Sequence, residues 1–268
     1  MSKTSAVSHD TLPRIETEWD MATIVITSAV REKRGIRSRE HLFFGTMTVV
    51  IALVVFIGFA QTYYLAGVFG AKPLAAPIVH IHGAVFTSWI VLLLAQSLLV
   101  GTGHTRIHRR LGVIGLVLAP LMVLLGVMVA IEMVTRFAPI TAVDSPGIFA
   151  VALSEITGFA VPVFFAFRFR RNPATHKRLI LIATIATTTA GFGRWPVAVL
   201  LHRPFPAMLA AFSLLGLMFA FDLASMRRVH RATLLGSAWV VLVELSAVAI
   251  GHTTAWHAFV VHVRSLVG

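Results

Sequence analysis

Three ionisable residues, Glu155, Arg194 and Glu244, stand inside long apolar stretches of this chain. Placing such a group in hydrocarbon costs about 2.5–3.5 kcal/mol, so each calls for an explanation. Counted inward from the end of its stretch that is poor in basic residues, each lies about seven or eight positions deep. At about 1.5 Å per helical residue this is some 10 Å below one membrane surface. Depths found separately for three stretches therefore coincide in one layer. Opposite charges at one depth lower each other's desolvation cost, which makes Glu155 and Arg194 an expected ion pair. Glu244 is then left as a ligand, a proton carrier or a structural acid.

Histidines surround this layer. His80 and His82 open one apolar stretch on the same side, and His202, His252 and His257 fall in neighbouring segments. His82, Trp89 and Gln96 recur at seven-residue intervals, which puts them on one helix face, turned towards protein. That stripe also fits an ordinary helix–helix interface held by hydrogen bonds, with Gly83 and Ala84 permitting close approach. Imidazole and carboxylate together suit a transition metal, and His82, Glu244 and His252 form a reasonable set. No HExxH or other local ligand pair supports it. Haem needs histidines at matched depth on facing helices. His82 with His252 on one side, and His108 with His176 on the other, are the candidate pairs. The inner two stand among arginines and lysines, where anchoring to lipid phosphate is the plainer role. No Gly-rich phosphate cradle is present, and GFGRW at 191–195 lacks the required spacing.

The elements that must position these residues follow from composition. The chain has 268 residues, 57% hydrophobic and 13% charged. A soluble domain carries roughly 25% charged residues. Apolar runs of 18 or more residues recur, each long enough to cross about 30 Å of hydrocarbon. Backbone groups in lipid must be satisfied internally, so these runs are expected as helices. The reading is all-α, a polytopic membrane bundle of about seven spans: 41–65, 78–100, 111–134, 147–167, 179–201, 207–226 and 232–250. Residues 1–40 form a cytoplasmic N-terminal extension and 41–268 the transmembrane domain. Residues 15–35 suit either an amphipathic surface helix or a partly ordered tail.

The net charge of +12 is not a nucleic-acid signal. Most Lys and Arg residues sit in four clusters, 31–39, 106–110, 168–178 and 227–231, while the alternate loops hold only Lys72, Arg136 and Arg203. This is the positive-inside pattern, and it puts the N-terminus in the cytoplasm. Lipid bilayer is the expected partner, with attraction to anionic lipid at the cytoplasmic face. The chain has no cysteine, which excludes disulfides and thiolate chemistry.

The pieces HIHG at 80–83, Trp89, Gln96 and HRRLG at 108–112, with NPATHKRL at 172–179, resemble a group of uncharacterised bacterial multipass membrane proteins. The resemblance covers about 100 residues and implies a bacterial inner-membrane location, with no activity to carry over. Three functions are expected in turn. The first is a metal or haem site in the outer half serving redox chemistry. The second is a cofactor-free transporter or proton-coupled permease using the same acids. The third is an accessory or assembly subunit of a membrane complex.

Overall fold

The computed structural model describes residues 18–70, 76–137, 145–201 and 203–267, so Lys72, Asp144 and His202 lie outside the described residues. Among the described residues nine α-helices follow in order: α1 (Glu18–Phe59), α2 (Pro77–Gly101), α3 (Thr105–Glu132), α4 (Ser145–Arg168), α5 (Pro173–Ala186), α6 (Thr189–Phe192), α7 (Pro204–Met226), α8 (Arg231–Gly251) and α9 (Thr254–Val267). Wider π-helical turns close α1 at Ala60–Tyr64 and α3 at Met133–Phe137. The chain divides into two units, 1–40 and 41–268. In the first, residues 18–40 are helical. The second holds all the packing described below.

Among the described residues, six helical segments are long and apolar enough to cross a membrane: Ser38–Tyr64, Pro77–Gly101, Thr105–Thr135, Pro146–Arg168, Pro204–Met226 and Arg231–Gly251. The chain is an all-α, multipass integral membrane protein. The stretch read as a fifth span, 179–201, is not one helix. α5 ends at Ala186, Thr187 and Thr188 form a turn, α6 has only four residues, and turns continue to Leu201. The cause is local. Thr184 Oγ1 donates to Ile180 O at 2.9 Å, Thr187 Oγ1 to Thr184 O at 2.8 Å and Thr188 Oγ1 to Ile185 O at 2.7 Å. Hydroxyls bonded to carbonyls three and four residues back compete with the helical amides. Pro196 lies beyond the break in a turn. Pro120 and Pro162 stand inside α3 and α4, which run on through them.

α5 is the centre of the bundle. One of its sides joins Ile51 of α1, Leu215 and Met218 of α7 and Val240 of α8 around Leu181, Ile182 and Ile185. Ala183 joins Trp89 of α2, Met122 of α3 and Phe159 of α4. Lipid tails are as apolar as leucine, so such contacts gain through close packing rather than through escape from water. The tightest approach is between α1 and α6, where a Cβ on Gly58 would run into the Gly191 backbone. Trp195 Nε1 adds a hydrogen bond to Val54 O at 3.1 Å.

The C-terminal tail does not continue α8. α8 stops at Gly251, and α9 turns over the ends of α3 and α4. Val260 is buried with Ala130, Val134 and Phe149, and Trp256 Nε1 donates to Pro146 O at 2.7 Å.

Candidate functional site

The break after α5 carries the polar centre of the molecule. Thr189 opens α6 and donates through Oγ1 to Glu244 Oε2 on α8 at 3.4 Å. This is a long bond, and among the described residues it is the one hydrogen bond to a carboxyl that is 1% exposed. The other oxygen, Oε1, is buried with no hydrogen-bond partner. Burying a carboxylate without partners is costly, so this group is set to receive a proton or a cation. Glu155, half-buried on α4, lies within electrostatic range of both Glu244 and Arg194. Arg194 also acts on His82 at the start of α2, beside the Leu125 backbone of α3. His82 Nδ1 is buried and has no partner. Four helices and the segment after the break thus link His82 to Arg194, Arg194 to Glu155, Glu155 to Glu244 and Glu244 to Thr189.

The ion pair expected between Glu155 and Arg194 is not formed as a direct contact. Arg194 Nη1 instead donates to Ala190 O at 2.7 Å, and the guanidinium lies 4.7 Å from the centre of the Phe59 ring. Because the chain leaves helical geometry here, the Ala190 carbonyl is free for the side chain. The arginine is thereby held against α1, with its charge still within electrostatic range of Glu155.

The other expected site residues take different places. His252 caps the C-terminus of α8 and is exposed. Among the described residues no three His, Asp or Glu side chains converge in a way that could hold a metal ion, so the set His82, Glu244 and His252 is not assembled. His257 bonds Gly251 O at 3.1 Å, close to its own helix start. His80 is exposed. Trp89 is buried and donates through Nε1 to Thr184 Oγ1 at 3.1 Å, which ties α2 to the turn before the break. Gln96 Nε2 donates to His108 O at 3.1 Å. At the basic end, His108 is within electrostatic range of His176, whose Nδ1 donates to Ala166 O at 2.8 Å.

One buried charged group escaped the sequence reading altogether. Arg178, at the start of α5, and Asp222, near the end of α7, form an ion pair at 2.6 Å, with side chains 0% and 2% exposed. Asp222 is fully satisfied. Oδ1 accepts from Arg178 Nη2 at 2.6 Å and Nε at 3.1 Å. Oδ2 accepts from Thr233 Oγ1 at 2.6 Å and the His230 amide at 3.0 Å. The knot joins α5, α7 and the start of α8 at the basic end. Phe44 of α1 lies under the Arg178 guanidinium at 5.5 Å. The signal available was that Asp222 is the sole acid in its apolar run. Arg178 was hidden because it ends a run of basic residues.

His108, His176 and His230 each stand beside basic residues at the start of a helix, but the starts are built differently. His230 Nδ1 accepts from the Ala232 amide at 3.1 Å and caps α8, whereas α5 is capped by Asn172. Compared with known protein families, curated proteins and solved structures, the chain matches none of them.

Proposed function

We propose that this chain is a cofactor-free, proton-coupled permease of a bacterial inner membrane, with its basic end in the cytoplasm. The observation that carries the reading is the helix break that sets Thr189 and Arg194 against two acids. Secondary transporters place their sites at discontinuous helices, where freed backbone and buried charge can face a solute. Arg194 meets an anionic group of the substrate. Glu244, buried and short of partners, takes and returns the proton, and Glu155 sets the field between them. His82 completes the wall. The resemblance of HIHG at 80–83 and HRRLG at 108–112 to a group of bacterial membrane proteins is consistent with that location.

Electrical recording on reconstituted protein tests this. Steps in pH combined with a panel of small anions (phosphate, sulfate, succinate and glutamate) are expected to give a transient current with at least one of them. Glu244→Gln abolishes that current and Arg194→Gln removes its dependence on the anion. A protein that gives no current with any of these anions contradicts the reading.

A cofactor reading draws on the other end of the bundle. The hydrogen bond from His176 Nδ1 to a backbone carbonyl leaves Nε2 as the free nitrogen, the arrangement seen in metal-ligating histidines. His108, nearby, has a buried Nδ1 without a partner. A haem or transition metal held by this pair predicts a Soret band, or stoichiometric metal by elemental analysis. Untagged protein with neither would end it.

A further inference from the structure

The permease reading leaves open which ions compete for Glu244. The helix break beside that residue holds more oxygens than donors. Thr187 Oγ1 and Thr188 Oγ1 serve the carbonyls of Thr184 and Ile185, and the turn closes with Thr188 N on Ile185 O. No amide of Thr189, Ala190 or Gly191 reaches back across that turn. Among the described residues, nothing therefore donates to Ala186 O or Thr187 O. Ala186 is 1% exposed, so its carbonyl is shielded from water as well. Backbone groups at membrane depth are ordinarily satisfied inside the protein. The end of α5 also stands close to Glu244. A Cβ built on Gly158 of α4 would lie 3.1 Å from Ala186 Cβ and 3.8 Å from Val243 Cγ2, so Ala186 and the residue before Glu244 meet at one point of α4. From the far side of the break, Thr189 Oγ1 lies 3.4 Å from Glu244 Oε2, and Glu244 Oε1 has no partner.

We propose that these oxygens form a sodium site, built from Glu244 Oε1, Thr189 Oγ1 and the carbonyls of Ala186 and Thr187, where sodium and a proton displace one another. It rests on the permease reading, in which Glu244 carries the coupling ion. Every ligand is an oxygen, the donor that hard cations take. Thr189 Oγ1 spends its one proton on Glu244 and keeps its lone pairs for an ion. Charge selects a monovalent cation. Glu155 and Arg194 act on one another and offset, which leaves the single charge of Glu244. Carbonyls released where a membrane helix is interrupted hold sodium in secondary transporters. The ion needs no more room than a water molecule. Its uptake is an exchange. The carboxylic acid of Glu244 gives its proton to solvent and the carboxylate takes sodium, so one charge enters as one leaves. The groups facing Glu244 are Thr189 at the break and Glu155 of α4, with Arg194 acting on Glu155 and on His82 behind it.

Salt titrations of the purified protein in detergent test this, with NaCl, KCl or choline chloride at one ionic strength. A ligand that binds only the folded state raises the thermal midpoint. NaCl is expected to raise it, and KCl and choline chloride to leave it unchanged. The apparent sodium affinity is expected to fall about tenfold for each unit of acidification over the range in which Glu244 holds a proton. Glu244→Gln abolishes the sodium response. Thr189→Ala weakens sodium at least tenfold, and Thr189→Ser, which keeps the hydroxyl, restores most of the affinity. Ser237→Ala, about two turns away on α8, leaves it unchanged. If a variant does not fold, the salt selectivity and pH dependence of the unmodified protein decide. The same midpoint in all three salts overturns the site, and a sodium response independent of pH overturns the exchange. A response that survives Glu244→Gln, or is undiminished in Thr189→Ala, overturns its placement at the break. The expected sodium pattern in a protein that gives no anion-driven current counts against the permease reading alone. Anion-driven current without any sodium response removes the site and leaves that reading standing.

Discussion

At the scale of single residues, the molecule separates two kinds of buried charge. Asp222 and Arg178 satisfy one another with hydrogen bonds to spare. Glu244 is almost as buried and has one long bond. Breaking a buried pair from one side removes a charge that offset the other's burial and costs about 3–5 kcal/mol. Asp222→Ala is therefore expected to lower the thermal midpoint in detergent markedly, and Arg178→Leu combined with Asp222→Leu to recover most of the loss. Glu244→Gln removes only a weak bond and is expected to leave the midpoint nearly unchanged. Both results are read from unfolding curves of the purified variants. The outer layer was legible in the sequence because Glu155, Arg194 and Glu244 interrupt apolar runs at one countable depth. The knot was not. Arg178 belongs by position to a basic loop, and nothing in the sequence says that α5 turns it inward. The bond from Thr189 to Glu244 was equally invisible, since a hydroxyl in an apolar run ordinarily bonds its own helix.

At the scale of elements, the broken fifth crossing decides most of the geometry. The six other crossings could be read from apolar length alone, to within a few residues at their ends. The fifth could not, because hydropathy reports composition and not continuity. Its interruption depends on three threonines bonding back to carbonyls and on glycines that let α1 approach. An added methyl at Gly58 must displace the Gly191 backbone, and overpacking of this kind costs about 1–3 kcal/mol. Gly58→Ala is expected to lower the thermal midpoint. Gly45→Ala, whose new methyl would stand 3.8 Å from Ser97 Oγ, is expected to be tolerated. Because α6 carries Thr189, Gly58→Ala should also disturb whatever Glu244 does, whereas Gly45→Ala should not. Trp89 reaches the same region from α2 through Thr184, so Trp89→Phe is expected to loosen the break by about 1 kcal/mol.

At the scale of the whole molecule, the polar groups fall at two levels. One lies beside the helix break and the other at the basic end, and the buried face of α8 runs from one to the other. The loops around His108, His176 and His230 lie within electrostatic range of one another at one end of the bundle. α9 covers part of the opposite end, where Arg264 Nε donates to Val134 O at 2.8 Å. Sequence alone left the course of this tail open, since fourteen residues with exposed and buried faces suit a surface helix as well as an extension. The central claim is that the layer of Glu155, Arg194 and Glu244 is one connected site that exchanges protons with water. Infrared difference spectra of the reconstituted protein between two pH values test it most directly. The account predicts a carboxyl band that changes with pH, disappears in Glu244→Gln and moves in both Glu155→Gln and Arg194→Gln. Spectra in which Glu244→Gln matches the unmodified protein, or in which the other two substitutions leave that band in place, would contradict it.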